Sequence, residues 1–130
     1  MKVAQGIESV EMDDLIAELG GGTLVVYSVG RPPDPNRPVE RSNVLATFTF
    51  AVPAFSADGD RLKANFTANP VAAIGVGTPG FARAFKADGV TPVADFSAGA
   101  GDSEVKLSEV SAVADYPISV VDMRLDVPAP

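Results

Sequence analysis

The run Gly75-Val76-Gly77-Thr78-Pro79-Gly80 spells G-x-G-x-x-G, the glycine spacing that lets a backbone approach the pyrophosphate of a dinucleotide. That chemistry needs a helix directly after the glycines, because the helix N-terminus holds the phosphates. Here Pro79 intervenes and Phe81–Phe85 alternates with period two. The run is therefore read as a turn leading into a strand, and no cofactor is expected. Asp58-Gly59-Asp60 and Asp102-Ser103-Glu104 pair acids at turns. The D-x-D-x-D-G-x5-E calcium loop is missing and turn chemistry accounts for both pairs, so no metal is expected; a weak Ca²⁺ or Mg²⁺ site between subunits is the alternative. Asn65-Phe66-Thr67 is formally a glycosylation sequon. With no secretory leader at the N-terminus, it is read as strand.

What is missing narrows the chemistry further. The 130 residues include no His and no Cys. That excludes Ser-His-Asp triads, imidazole bases, thiol nucleophiles, thiolate zinc sites and disulfides. A glycosidase pair needs two carboxyls at a set separation, which no spacing among the 17 acids fixes. The expectation is a protein that is not an enzyme. Ten basic against 17 acidic residues give a net charge of −7. That argues against binding nucleic acid by neutralising phosphates. No apolar run approaches the roughly 18 residues of a membrane span, so no membrane partner is expected.

Twelve glycines and eleven prolines suit many short strands joined by turns. One helix is expected at 8–20: Ser9 caps it, Glu11, Asp13 and Asp14 favour its dipole, and Met12, Leu15, Ile16 and Leu19 form an apolar stripe. Gly20-Gly21-Gly22 stops it. Leu15 and Leu19 are candidate contacts with a neighbouring subunit, beside the simpler reading that the stripe packs on its own domain.

Strands are expected at Thr23–Val29, Asn43–Val52, Arg61–Ala68, Phe81–Lys86, Pro92–Phe96, Glu104–Leu107 and Ile118–Val127, with a short apolar run in Pro70–Val76. In the second, Ala46, Phe48, Phe50 and Val52 face one way, and Pro53 ends it. In the last, Val121, Met123, Leu125 and Val127 share a face. About eight strands with regular turns predict a single all-β domain over 1–130, a jelly-roll-like antiparallel sandwich.

The segment 31–42 opens with RPPDPNRP, whose prolines forbid sheet pairing. It is a long connection or an interface arm. Extended Pro-rich chain loses little entropy on docking. Arg31, Arg37 and Arg41 suit acidic patches on a partner, with Pro32, Pro33, Pro35 and Pro38 setting the extended shape.

The order of these features resembles a family of small β-rich virion proteins of tailed phages and prophages. The residues that carry it are Gly22-Thr23-Leu24-Val25-Val26-Tyr27 before the Pro-rich stretch, Asn43–Phe50, and Pro53-Ala54-Phe55. Ala64–Pro70, Gly80-Phe81-Ala82-Arg83, Ala87-Asp88-Gly89, Pro92-Val93-Ala94-Asp95 and Gly99–Gly101 continue it. It covers most of residues 8–128. Two positions depart from the pattern: Phe96 stands where a glycine is usual, and Ala82 where an aromatic is usual. The resemblance implies a non-enzymatic capsid decoration protein on the virion surface, made in the host cytoplasm. It would be a homo-oligomer, often a trimer, bridging subunits of the major capsid protein. A tail, collar or head–tail connector protein is the alternative. A carbohydrate-binding sandwich is a weaker one, since the chain has no Trp and only Tyr27 and Tyr116. An exposed cluster of Phe55, Phe81 and Phe85 would signal a protein interface.

Overall fold

Strand follows strand because β-branched and aromatic residues alternate with small ones between glycine and proline breaks. The computed structural model describes residues 2–3, 19–28, 44–58, 61–88, 91–101, 103–109 and 111–126. Among them the chain is all-β. The strands are β1 (Lys2–Val3), β2 (Thr23–Tyr27), β3 (Val44–Asp58), β4 (Arg61–Phe66), β5 (Val71–Ala72), β6 (Phe81–Phe85), β7 (Pro92–Gly99), β8 (Val105–Leu107), β9 (Pro117–Ile118) and β10 (Val120–Asp126). Eight of them form one sheet in the order β1-β7-β6-β2-β3-β4-β10-β8. Its β8 end returns to β7 through a short parallel pairing, Ala98 opposite Val105 and Gly99 opposite Lys106. The sheet is therefore a nearly closed barrel. Its other pairings are antiparallel.

The interior follows from the alternation. Leu24 and Val26 of β2, Ala46, Phe48 and Phe50 of β3, Ala82 and Ala84 of β6, and Ala94 and Phe96 of β7 are all fully buried. Phe66 of β4 packs on Phe50 and Phe48 with ring centroids 5.1 and 5.5 Å away. A barrel this small has room only for side chains, and mixing alanine with phenylalanine fills it. The outer Thr47 and Thr49 are exposed, as the pattern predicts.

Four register shifts interrupt the sheet, one of them at Val93 between the Ala84–Ala94 and Phe85–Pro92 pairs; the other three change what the alternation alone implies. Pro53 does not end β3: the strand runs on to Asp58. Phe50 pairs with Phe66 and Phe55 with Ala64, so five steps on β3 match two on β4. The three extra residues loop out, which places Val52 in solvent and turns Ala54 and Phe55 inward. A second irregularity lies between Val120 and Asp122. There Val120 is buried and Val121 exposed, so Val121 does not share the inward face of Met123. Asn69 stands in for a strand at this point, its side-chain amide donating to the Val120 carbonyl (2.8 Å) and its side-chain oxygen accepting from the Val120 N–H (2.9 Å).

The third bulge is at Leu45, since Val26 pairs with Ala46 and Tyr27 with Val44. Leu45 is thereby left outside the barrel wall, yet it is fully buried. Covering it is the work of the lobe described next. The helix expected at 8–20 lies outside the described residues except for its last two positions. Leu19 there is fully buried in the core of its own chain, and its carbonyl accepts a bond from Gly22 N (2.8 Å).

Candidate protein-binding surface

The lobe is built from residues 67–80 and 108–119. β5 and β9 pair as a two-stranded sheet, Val71 opposite Ile118 and Ala72 opposite Pro117. A bridge between Gly77 and Ala112 extends the contact, with hydrogen bonds of 3.2 and 2.7 Å. The Leu45 carbonyl accepts from Ile74 N (2.8 Å) and Gly75 N (3.4 Å), which ties the lobe to the start of β3. A Cβ on Gly75 would lie 2.4 Å from the Val44 carbonyl oxygen, so glycine is needed there for backbone to meet backbone. The run 75–80 leads into β6, a strand, so the helix N-terminus that a pyrophosphate requires does not follow it.

Among its described residues the lobe buries Ala73, Ala112 and Ile118, packs Val71 half-buried against the core, and leaves four large apolar side chains outside. Ile74 is 65% exposed, Val76 63%, Val113 48% and Tyr116 67%. Beside Val113 and Tyr116 lies an open groove of about 450 Å³, lined also by Glu109, Ser111, Ala112, Pro117 and Ile118. Residues 67–80 contain no charged side chain, and residues 108–121 contain only Glu109 and Asp115. In a chain where 21% of residues are charged, this is a concentrated apolar surface with an acidic margin. Depletion of charge around exposed apolar and aromatic side chains is the mark of a protein interface core.

A second feature is polar and buried. Arg83 of β6 and Asp95 of β7 are directly opposite in register. They meet through Nε to Oδ1 (2.7 Å) and Nη2 to Oδ2 (3.1 Å), with almost no exposure of either. The fork-to-carboxylate geometry is the strong form of this contact. Phe81 lies beneath the guanidinium (5.7 Å to the ring centroid) and stacks on Tyr27 (5.0 Å, 15°). The contact spans two neighbouring strands and ties β6 to β7.

Tyr27 reports on this cluster. Burial pushes its phenol above the ordinary tyrosine value; the Arg83 charge works against the rise and that of Asp95 adds to it. A group raised in this way contributes stability that is fully present below the ordinary value and is lost as pH rises through the folded one. In a Tyr116→Phe variant, Tyr27 is the only tyrosine, and its ultraviolet phenolate titration is expected to have its midpoint above that of the urea-unfolded chain. Equal midpoints would contradict the burial.

Of the interface residues singled out in the sequence, Leu19 alone falls among the described residues. Leu15, Arg31, Pro32, Pro33, Pro35, Arg37, Pro38 and Arg41 lie outside the described residues. Phe55 and Phe81 are buried and do not form the exposed aromatic cluster that would signal an interface; among the described residues, four of the six exposed large apolar side chains are those of the lobe, and the other two, Val52 and Val121, sit at bulges. Of the acidic turn pairs, Glu104 accepts from Ser97 N (3.1 Å) while its own N–H donates to Ser97 Oγ (2.9 Å), a clip across the β7–β8 closure. The Asn65 amide of the sequon donates to Pro53 O (3.2 Å) and Ser56 Oγ (3.3 Å), holding the first bulge. No group of three or more acids able to hold a metal ion occurs among the described residues. No protein-family model, curated protein or solved structure matches this chain.

Proposed function

We propose that this chain is a non-enzymatic structural protein of a tailed-phage or prophage virion, a capsid decoration protein that bridges subunits of the major capsid protein. The observation that carries the reading is the exposed, nearly uncharged lobe on a chain of net charge −7. Such a surface is suited to a protein partner, and the order of sequence motifs supplies the kind of partner. The two departures from the family's pattern also offset one another. Ala82 and Phe96 are opposite each other on β6 and β7 and both are buried, so the aromatic has moved across the strand pair to cover the position of the usual glycine. The finer fold description, a jelly-roll-like sandwich, belongs to the same proposal; the antiparallel sheet that nearly closes on itself supports it.

In this role each copy contributes a modest interface, and the lattice multiplies it. Self-association, with a trimer favoured, places several such surfaces on one particle site, and the arm at 31–42 supplies further contacts. The remaining acidic surface keeps the decorated particle soluble. The test is the copy number of this polypeptide in purified virions, relative to the major capsid protein. A ratio near one to one is expected. A handful of copies per particle would move the chain to the tail, collar or head–tail connector, and complete absence would overturn the virion reading. Tyr116, exposed at the groove, gives a second reading as a sugar-stacking platform, which would be upheld by saturable binding of simple sugars to the isolated chain.

A further inference from the structure

We infer that the lobe of residues 67–80 and 108–119 is the face that docks on the particle, and that the surface it meets is apolar at its centre and carries lysine or arginine at its margin. The inference rests on the virion role proposed above and deepens it. The four exposed apolar side chains Ile74, Val76, Val113 and Tyr116 come from two strands of chain that the Gly77–Ala112 bridge holds side by side. They form one surface, not scattered exceptions. The charges within the lobe, Glu109 at the groove and Asp115 beside Tyr116, are both acidic. A partner that buries this surface without leaving those carboxylates unpaired must offer cations to them. A second copy laid lobe to lobe would bring acids toward acids, so the complement is a different surface.

The lobe is also tied down from behind. Ala73 N bonds to Tyr116 O (2.9 Å) and Asp115 N to Ala73 O (2.8 Å), while Ile74 N bonds to Leu45 O. Its apolar side chains are thus presented on backbone already paired, which lowers the ordering cost of docking. Asp115 has φ 70°, a left-handed conformation that fixes the turn carrying Tyr116.

The experiment uses particles assembled without this protein, re-bound with purified full-length chain at 50 and 500 mM NaCl. Wild type is expected to bind to saturation. Ile74→Ser/Tyr116→Ala, which alters only exposed side chains, is expected to lose at least tenfold in affinity at both salts with an unchanged thermal melt. Glu109→Lys is expected to lose several-fold at 50 mM and much less at 500 mM, because salt screens the rim contact. Lys63→Glu, an exposed change on β4 outside the lobe, is expected to bind within twofold of wild type. Failure of wild type to bind would overturn the virion role itself. Wild-type binding with both lobe variants unaffected would overturn the lobe as the docking face. Loss in Ile74→Ser/Tyr116→Ala without any effect of Glu109→Lys would overturn the cationic margin. A change in the oligomeric state of Ile74→Ser/Tyr116→Ala, with particle affinity unchanged, would make the lobe a contact between copies and overturn the inference.

Discussion

Gly22→Ala is expected to cost the domain a large share of its stability. A Cβ at this position would lie 2.0 Å from the Phe85 carbonyl oxygen, 3.0 Å from the Leu19 carbonyl oxygen and 3.1 Å from the Lys86 carbonyl carbon. All three neighbours are backbone, so no side chain can swing aside. Neither can Gly22 itself retreat: its N–H is held by Leu19 and its carbonyl accepts from Phe50 N, both at 2.8 Å. Relief requires parting β2 from β6 at the Thr23–Phe85 pair, which begins their ladder. A loss of roughly 3–5 kcal/mol is expected, the range of overpacked and strained sites, against a total of about 5–15 kcal/mol for a domain.

Two other glycines calibrate the result. A Cβ on Gly21 would make only ordinary van der Waals contacts, 3.9 Å from Ala87 and 4.0 Å from Val52, but φ is +75°, so alanine there is expected to cost about 1–2 kcal/mol from backbone conformation alone. Gly101 has nothing within 4 Å, so alanine there is expected to change stability by less than about 1 kcal/mol. Urea unfolding followed by far-ultraviolet circular dichroism ranks the three. A Gly22→Ala midpoint within error of that of Gly101→Ala would show that β2 and β6 are not held as closely as described.

Gly22 also shows where a sequence stops speaking. Three consecutive glycines after an apolar stripe announce a chain reversal, and the reversal is there. They do not say which glycine needs its freedom of φ and which needs its missing Cβ, because the second depends on a strand sixty residues away. The same division runs through the fold. Period-two alternation in Ala46–Phe50 and Phe81–Phe85 was legible because one face of each strand meets the barrel interior. Val52 and Val121 broke the pattern because bulges shift the phase, and a bulge is set by the partner strand's register and not by local residue type. The lobe was harder to read. Its signal was in plain view, a stretch of residues 64–82 with no charge at all, but an uncharged stretch rich in Gly, Ala and Pro reads equally as core, turn or surface. Only the placement of Ile74, Val76, Val113 and Tyr116 on the outside separates the three.

Asp95→Ala is expected to cost about 3–5 kcal/mol, because it removes the carboxylate that both Nε and Nη2 of Arg83 meet in a site with almost no access to water. Arg83→Met is expected to cost a similar amount by stranding the carboxylate. The double replacement Arg83→Met/Asp95→Leu removes both charges, and its stability is expected to return to within about 2 kcal/mol of wild type, since a buried pair hardly outweighs its own desolvation. A double-mutant cycle by urea unfolding reads the coupling directly. Additive losses would mean that the two side chains do not depend on each other and that the bidentate contact is incidental. The pair's contribution is then to register more than to net stability. Arg83 and Asp95 stand on the outer side of β6 and β7, with Ala82, Ala84, Ala94 and Phe96 on the inner side. A slip of one residue of either strand would turn that strand's charge to the inner face and leave its partner's charge on the outer one. No ion pair could form in that arrangement. The native register is the one that lets the fork and the carboxylate meet. On this argument the double variant folds nearly as stably as wild type but discriminates less against the slipped pairing. Its amide exchange in β6 and β7 is expected to be faster than wild type at equal global stability.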